Sequence, residues 1–220
     1  MRERRRALRP AGGRDAGMTL IELMVAMVVF SISIAIAFSA VIVVVQKSND
    51  AQQSANAEAE LRLALAQIDR QVRSGNVLFS PAAETTDGCQ TVGPATDQAG
   101  TCMRIFTQSN GDEKCVQWQL YADTTDPGSF QLRSRSWQTD WATTGQVSDW
   151  GVVARGLHLG TKAPFTLLGA TTVYNERMLQ VHLEVTDERR DTPVSIDSSL
   201  TGRNTSYGYD TDQCFPVPPA

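Results

Sequence analysis

The sequence carries no H-E-x-x-H, no G-x-S-x-G, no G-x-x-x-x-G-K-S/T and no G-x-G-x-x-G. Each missing pattern removes a chemistry: zinc-dependent hydrolysis, an activated serine, a phosphate-cradling loop and dinucleotide binding. There are only two histidines. His158 and His182 both sit in strand-like runs, His158 between Leu157 and Leu159, a setting that suits a structural or surface residue better than a base. No catalytic residue, no cofactor and no enzymatic activity is expected. The four cysteines form no C-x-x-C pair and have no nearby His, so a zinc ligand set is missing as well. A basic excess is also lacking, since 20 Lys+Arg stand against 24 Asp+Glu, which argues against a dedicated nucleic-acid binder. With 41% apolar and 20% charged residues in 220, the composition is globular and allows one modest domain plus an extra element.

The charge that is present is unevenly placed. Residues 1–17 hold Arg2, Arg4, Arg5, Arg6, Arg9 and Arg14 against Glu3 and Asp15, a balance of +4. Removing those six arginines and two acids leaves 14 basic and 22 acidic residues from Met18 onward, a balance of −8. Directly after the basic stretch, Leu23 to Val45 reads LMVAMVVFSISIAIAFSAVIVVV, with no charge and only Ser31, Ser33 and Ser39 as polar groups. At about 1.5 Å per residue this run crosses a hydrocarbon core of about 30 Å. The flank beyond it holds only Lys47, so the positive-inside bias keeps the N-terminus in the cytoplasm and sends the rest across. The run is too long for the core of an ordinary secretory signal and no small-x-small site follows it. Glu22 stands at its start. The residues alone leave two readings open for this acid, an intramembrane carboxylate awaiting a partner or a headgroup-level carboxylate that complements the helix dipole.

Gly17-Met18-Thr19-Leu20-Ile21-Glu22-Leu23, preceded by a basic leader and followed by the apolar run, resembles the class III leader and mature start of type IV pilins and type II secretion pseudopilins. The resemblance implies cleavage between Gly17 and Met18 by a prepilin peptidase, N-methylation of Met18, and roles for Thr19 and Glu22 in assembly, with Glu22 meeting the new terminal amine of a neighbouring subunit. Two opposite charges in a low-dielectric filament core attract strongly together and are costly apart. The leader is longer than in the pilus major subunits, and no Pro occurs between Pro10 and Pro81, so the kink many of them carry is missing. Both departures weaken an assignment to a major pilin, and the larger domain, the missing Pro and the closing run MLQVHLEVTD resemble a minor pilin or pseudopilin.

From Gln46 to Arg73 there is no Gly or Pro, and strong helix formers dominate, so the helix is expected to continue from Thr19 to Arg73, about 80 Å. Leu61, Leu65, Ile68 and Val72, with Ala57 a turn earlier, form an apolar stripe that needs a cover. Ser74-Gly75-Asn76 closes the segment, with Gly75 suited to a left-handed cap. Beyond Pro81, Cys102–Gln108, Cys115–Asp123, Phe130–Gln138, Gly151–Leu159 and Met178–Asp187 alternate with period two and read as strands. Asn110-Gly111 and Asp126-Pro127-Gly128 are turn signals that make the first three an antiparallel meander. The expected fold is α+β, a long N-terminal helix packed on one apolar face of an antiparallel sheet. It divides into a leader over 1–17, a transmembrane or filament-core helix over 18–45, an amphipathic continuation over 46–75 and an extracytoplasmic β-rich domain over 76–220. The Ser-, Thr-, Gly- and Pro-rich tail from Asp191 to Ala220 is expected to be irregular.

An extracytoplasmic domain with four cysteines suggests two disulfides, with three possible connectivities. Cys89 with Cys102 and Cys115 with Cys214 are favoured, the first closing a local loop and the second pinning the tail to a central strand for about 3 to 5 kcal/mol. Asp210 and Asp212 are too few oxygens for calcium, and no metal is expected. Asn204-Thr205-Ser206 is a formal glycosylation sequon of low specificity. Trp118, Trp137, Trp141 and Trp150 are expected to lie largely in the core. The expected partners are the prepilin peptidase, other pilins or pseudopilins met through the N-terminal helix, and membrane lipid before assembly. DNA or a surface glycan bound at a filament tip is the alternative role.

Overall fold

The computed structural model describes residues 17–94, 97–108, 111–168, 178–185, 193–202 and 212–219. Most of the leader, Asn110, Asp210 and the sequon at 204–206 lie outside them. Helix α1 covers Leu20–Ser74. The chain divides into two compact units, Met1–Gln52 and Gln53–Ala220, and α1 contributes to both.

In the first unit the apolar side chains of α1 are exposed all the way round, from Leu20 and Ile21 to Val44 and Val45. Ser31, Ser33 and Ser39 each donate to the carbonyl four residues back, at 2.8, 2.8 and 2.7 Å. Their hydroxyls are thereby satisfied inside the helix, and from Leu23 to Val45 the surface carries no charge and no unpaired hydroxyl.

In the second unit α1 turns Leu61, Ala64, Ile68 and Val72 inward, each at most 1% exposed. Leu65 is only half-buried, because the buried line runs through Ala64 instead. These residues pack on Met103, Ile105, Val116, Trp118 and Leu132. The Trp118 indole N–H donates to Gln71 Oε1 at 2.6 Å, so this fully buried ring keeps a polar partner.

Among the described residues the sheet has nine strands: β1 Gly75–Leu78, β2 Ala99–Gly100, β3 Cys102–Thr107, β4 Lys114–Ala122, β5 Phe130–Gln138, β6 Gly151–His158, β7 Phe165–Leu167, β8 Met178–Val185 and β9 Val194–Thr201. All pairings are antiparallel. Their order is β1-β3-β4-β5-β6-β8-β7-β2, with β9 on the other edge of β8. The meander β3-β4-β5 turns at Gly128, where φ is +96° and the Ser129 N–H closes the turn onto the Asp126 carbonyl at 3.1 Å. A short helix α2 covers Trp141–Thr144.

Three expectations need correction. Gly75 does not adopt the left-handed cap. It opens β1 directly, and the reason for glycine is a close approach, since a Cβ there would lie 2.8 Å from Ile105 Cγ2 and 3.0 Å from the Val72 carbonyl oxygen. The tail is not irregular from Asp191. Residues 194–201 form β9 and pair with β8 at eight positions, because Val194, Ile196 and Leu200 share the inward face. The sheet does not have a single covered face. On the side of β3–β5 away from the helix, Cys102, Arg104, Phe106, Cys115, Gln117, Gln119, Arg135 and Trp137 are also buried.

Candidate functional site

The start of α1 is built by its own sequence. The Thr19 carbonyl accepts the first helical bond, from Leu23 N–H at 3.2 Å, which makes Thr19 the N-cap. Its hydroxyl oxygen accepts from the Glu22 N–H at 3.4 Å, and the Glu22 carboxylate accepts from the Thr19 N–H and Oγ1–H, also at 3.4 Å. This is the reciprocal Thr-x-x-Glu capping box, with the carboxylate in the first turn where the helix dipole favours it. Contacts at 3.4 Å lie beyond the usual 2.7–3.2 Å range and are weak. The carboxylate is thus held in place at the apolar helix's end without being committed there. Gly17 and Met18 precede it, both exposed. A Cβ on Gly17 would meet no atom within 4 Å, so packing within the chain does not require glycine at that position.

The second set of candidate residues, the cysteines, joins as Cys89–Cys102 and Cys115–Cys214, across 13 and 99 residues. These bonds tie two covers over the sheet face turned away from the helix: the segment after β1 that contains Pro81–Ala83, and the tail at 212–219. Beneath them the strand register aligns three rows, Phe106-Cys115-Trp137, Arg104-Gln117-Arg135 and Cys102-Gln119-Arg133. The Glu84 carboxylate bonds Arg104 at 3.0 Å, and both side chains are shielded from water. Burial pushes the Glu84 carboxyl above its ordinary value despite the attraction of Arg104, and burial lowers the Arg104 guanidinium. Arg135 is lowered to about 10, first by burial and then by neighbouring Arg133. Its Nη1 and Nη2 donate to the Pro219 and Pro218 carbonyls at 2.6 and 2.7 Å, while Arg104 Nη1 donates to the Cys214 carbonyl at 2.9 Å. Arg104 also stacks between Phe79 and Phe215, at 4.4 and 4.3 Å from their centroids. Nε, Nη1 and Nη2 of both Arg104 and Arg135 face protein acceptors, so this charged cluster fastens the covers.

Sequence reasoning missed that cluster, although a signal was available. Arg104 shares strand parity with Cys102, and Gln117 with Cys115, so a disulfide-bonded face must be a covered face. The remaining candidates do not come together. His158 is exposed at the end of β6. His182 faces Asp197 at 2.8 Å through Nδ1 and Glu184 at 3.4 Å through Nε2, which leaves neither ring nitrogen facing a hydroxyl. Asp212 is exposed. Trp118 and Trp137 are core residues, while Trp141 and Trp150 are half-buried. Among the described residues, no group of three or more His, Cys, Asp or Glu is placed to hold a metal ion.

The sequence model of the family described as Prokaryotic N-terminal methylation motif matches residues 13–38. That range contains Gly17, Met18, the capping box and the first part of the exposed apolar helix. No curated protein and no solved structure matches the chain. The motif implies processing by a peptidase and assembly with other subunits that carry it.

Proposed function

We propose that the chain is a type IV pilin-like protein with a class III leader and serves as a minor pilin or pseudopilin in assembling or priming a filament. The observation that carries this reading is the exposed, uncharged helix from Leu23 to Val45, which begins at a weakly engaged carboxylate. In a bilayer that surface is satisfied by lipid. In a filament it is satisfied by neighbouring helices, and the exchange costs little because both surroundings are apolar.

Glu22 supplies the directionality. Cleavage after Gly17 creates an amine at Met18, and in a low-dielectric filament core the amine of one subunit and the Glu22 carboxylate of the next attract strongly. The weak bonds to Thr19 are what the carboxylate gives up. The pair selects register more than it adds net stability, since both ions lose hydration. The basic leader keeps residues 1–17 in the cytoplasm and the β-rich unit outside. A helix without proline and the long leader separate this chain from the major-subunit pattern.

The test is Glu22→Gln in the native host. We expect membrane insertion and leader cleavage at wild-type levels, and at least a tenfold loss of the subunit from sheared filaments or from its copurifying complex. Normal incorporation of the variant would refute the role given to the carboxylate.

A further inference from the structure

Both histidines of the chain lie where β6, β8 and β9 meet. His182 on β8 stands directly opposite Asp197 on β9, and His158 on β6 stands opposite Glu184 on β8. The His182 ring is held between two carboxylates, with Nδ1 2.8 Å from Asp197 Oδ1 and Nε2 3.4 Å from Glu184 Oε2. Water reaches little of this arrangement, since the His182 and Glu184 side chains are 12% and 17% exposed. Lys162, from the connection between β6 and β7, lies 3.5 Å from Asp197 and is 63% exposed, so solvent screens its competition for that carboxylate. Asp97 lines the same groove from the segment before β2. β7 brings no titratable side chain, and the Pro164 carbonyl just before it accepts the His182 N–H at 2.9 Å.

We propose that His182 is a pH-responsive latch on β9. A neutral imidazole carries one N–H donor and one lone pair, so in either tautomer one of the two carboxylates faces a lone pair. The imidazolium donates from both nitrogens and satisfies both. Protonation therefore ties β9 to β8 through Asp197, while Glu184 fixes the ring that makes the tie. Loss of the proton removes one of the two bonds and sets acceptor against acceptor where little water can intervene. Asp197 is held below its ordinary carboxylate range, first by its hydrogen bond to His182, so it stays ionised where imidazoles titrate. A proton bound more tightly in the paired state than in the open one stabilises the pairing at low pH, and that contribution is lost as pH rises through the imidazole range. β9 is the strand placed to feel the change. Among the described residues it pairs with β8 alone, and Val194, Ile196 and Leu200 are what it brings to the core.

The experiment follows amide hydrogen exchange of the full chain in detergent by mass spectrometry, from about pH 5.5 to about pH 8.5, with intrinsic exchange rates corrected. Peptides from β9 report the latch, and peptides from β4 serve as the internal reference. We expect the protection of β9 relative to β4 to fall at least fivefold from the acid to the alkaline end in wild type. The same fall is expected in His158→Gln, which removes the other histidine. In Glu184→Gln the fall should vanish with β9 still protected at the alkaline end, because the Gln amide donates to the neutral Nε2 that a carboxylate cannot serve. A packing role for Glu184 alone would leave the pH profile unchanged. His182→Gln should give a flat profile as well. No fall in wild type, a fall of the same size in Glu184→Gln or His182→Gln, or its loss in His158→Gln would overturn the proposal. Exchange is read on unassembled protein, so failure here leaves the filament reading intact, and the incorporation of Glu22→Gln says nothing about the latch.

Discussion

Arg104 and Glu84 meet where neither side chain is open to water, so the charge of each is tolerable only because of the other. Replacing Arg104 by Met would leave a buried carboxylate with a far weaker set of partners, a change that typically costs about 3–5 kcal/mol. The loss should depend on pH. Burial raises the folded-state value of Glu84, so its stabilising contribution is fully present below its ordinary value of 4.5 and is lost as pH rises through the folded value. Without Arg104 that rise becomes steeper, so urea midpoints of Arg104→Met and wild type should lie closer together at pH 4 than at pH 7. A gap equal at both pH values would show that packing, not the ion pair, sets the cost. At this scale the methylation motif was readable because it is a contiguous string of residues. The Arg104-Gln117-Arg135 row was not, because it exists only once three strands are aligned in register.

Elements reveal the same division between local and long-range information. α1 was legible almost to the residue, since hydrophobic run length and helix propensity act within a few turns. The central strands β3, β4, β5, β6 and β8 were legible from alternation. β2 and β7 were not, because two or three residues carry no period, and β9 was hidden by Ser195, Asp197, Ser198 and Ser199, which read as a polar tail. Only pairing with β8 reveals that Val194, Ile196 and Leu200 belong to the core. Leu200 lies at 6% exposure opposite Leu179, so Leu200→Ala should cost about 2–5 kcal/mol in a denaturant titration, the range for a buried leucine. A change below about 0.5 kcal/mol, usual for surface sites, would contradict the placement of β9.

On the scale of the whole molecule, the two units answer to different solvents. Residues from Leu20 to Val45 expose apolar side chains and make sense only in lipid or among other helices. The second unit closes around its own core, with two disulfides fastening loop and tail over the sheet. Gly17 is exposed, and packing among the described residues does not require glycine there. Processing of this chain into a filament subunit is read by intact-mass and N-terminal peptide spectrometry of the protein from its native membranes. The chain is expected to begin at a methylated Met18, with residues 1–17 gone. A chain that still begins at Met1 in cells with an active prepilin peptidase would contradict it.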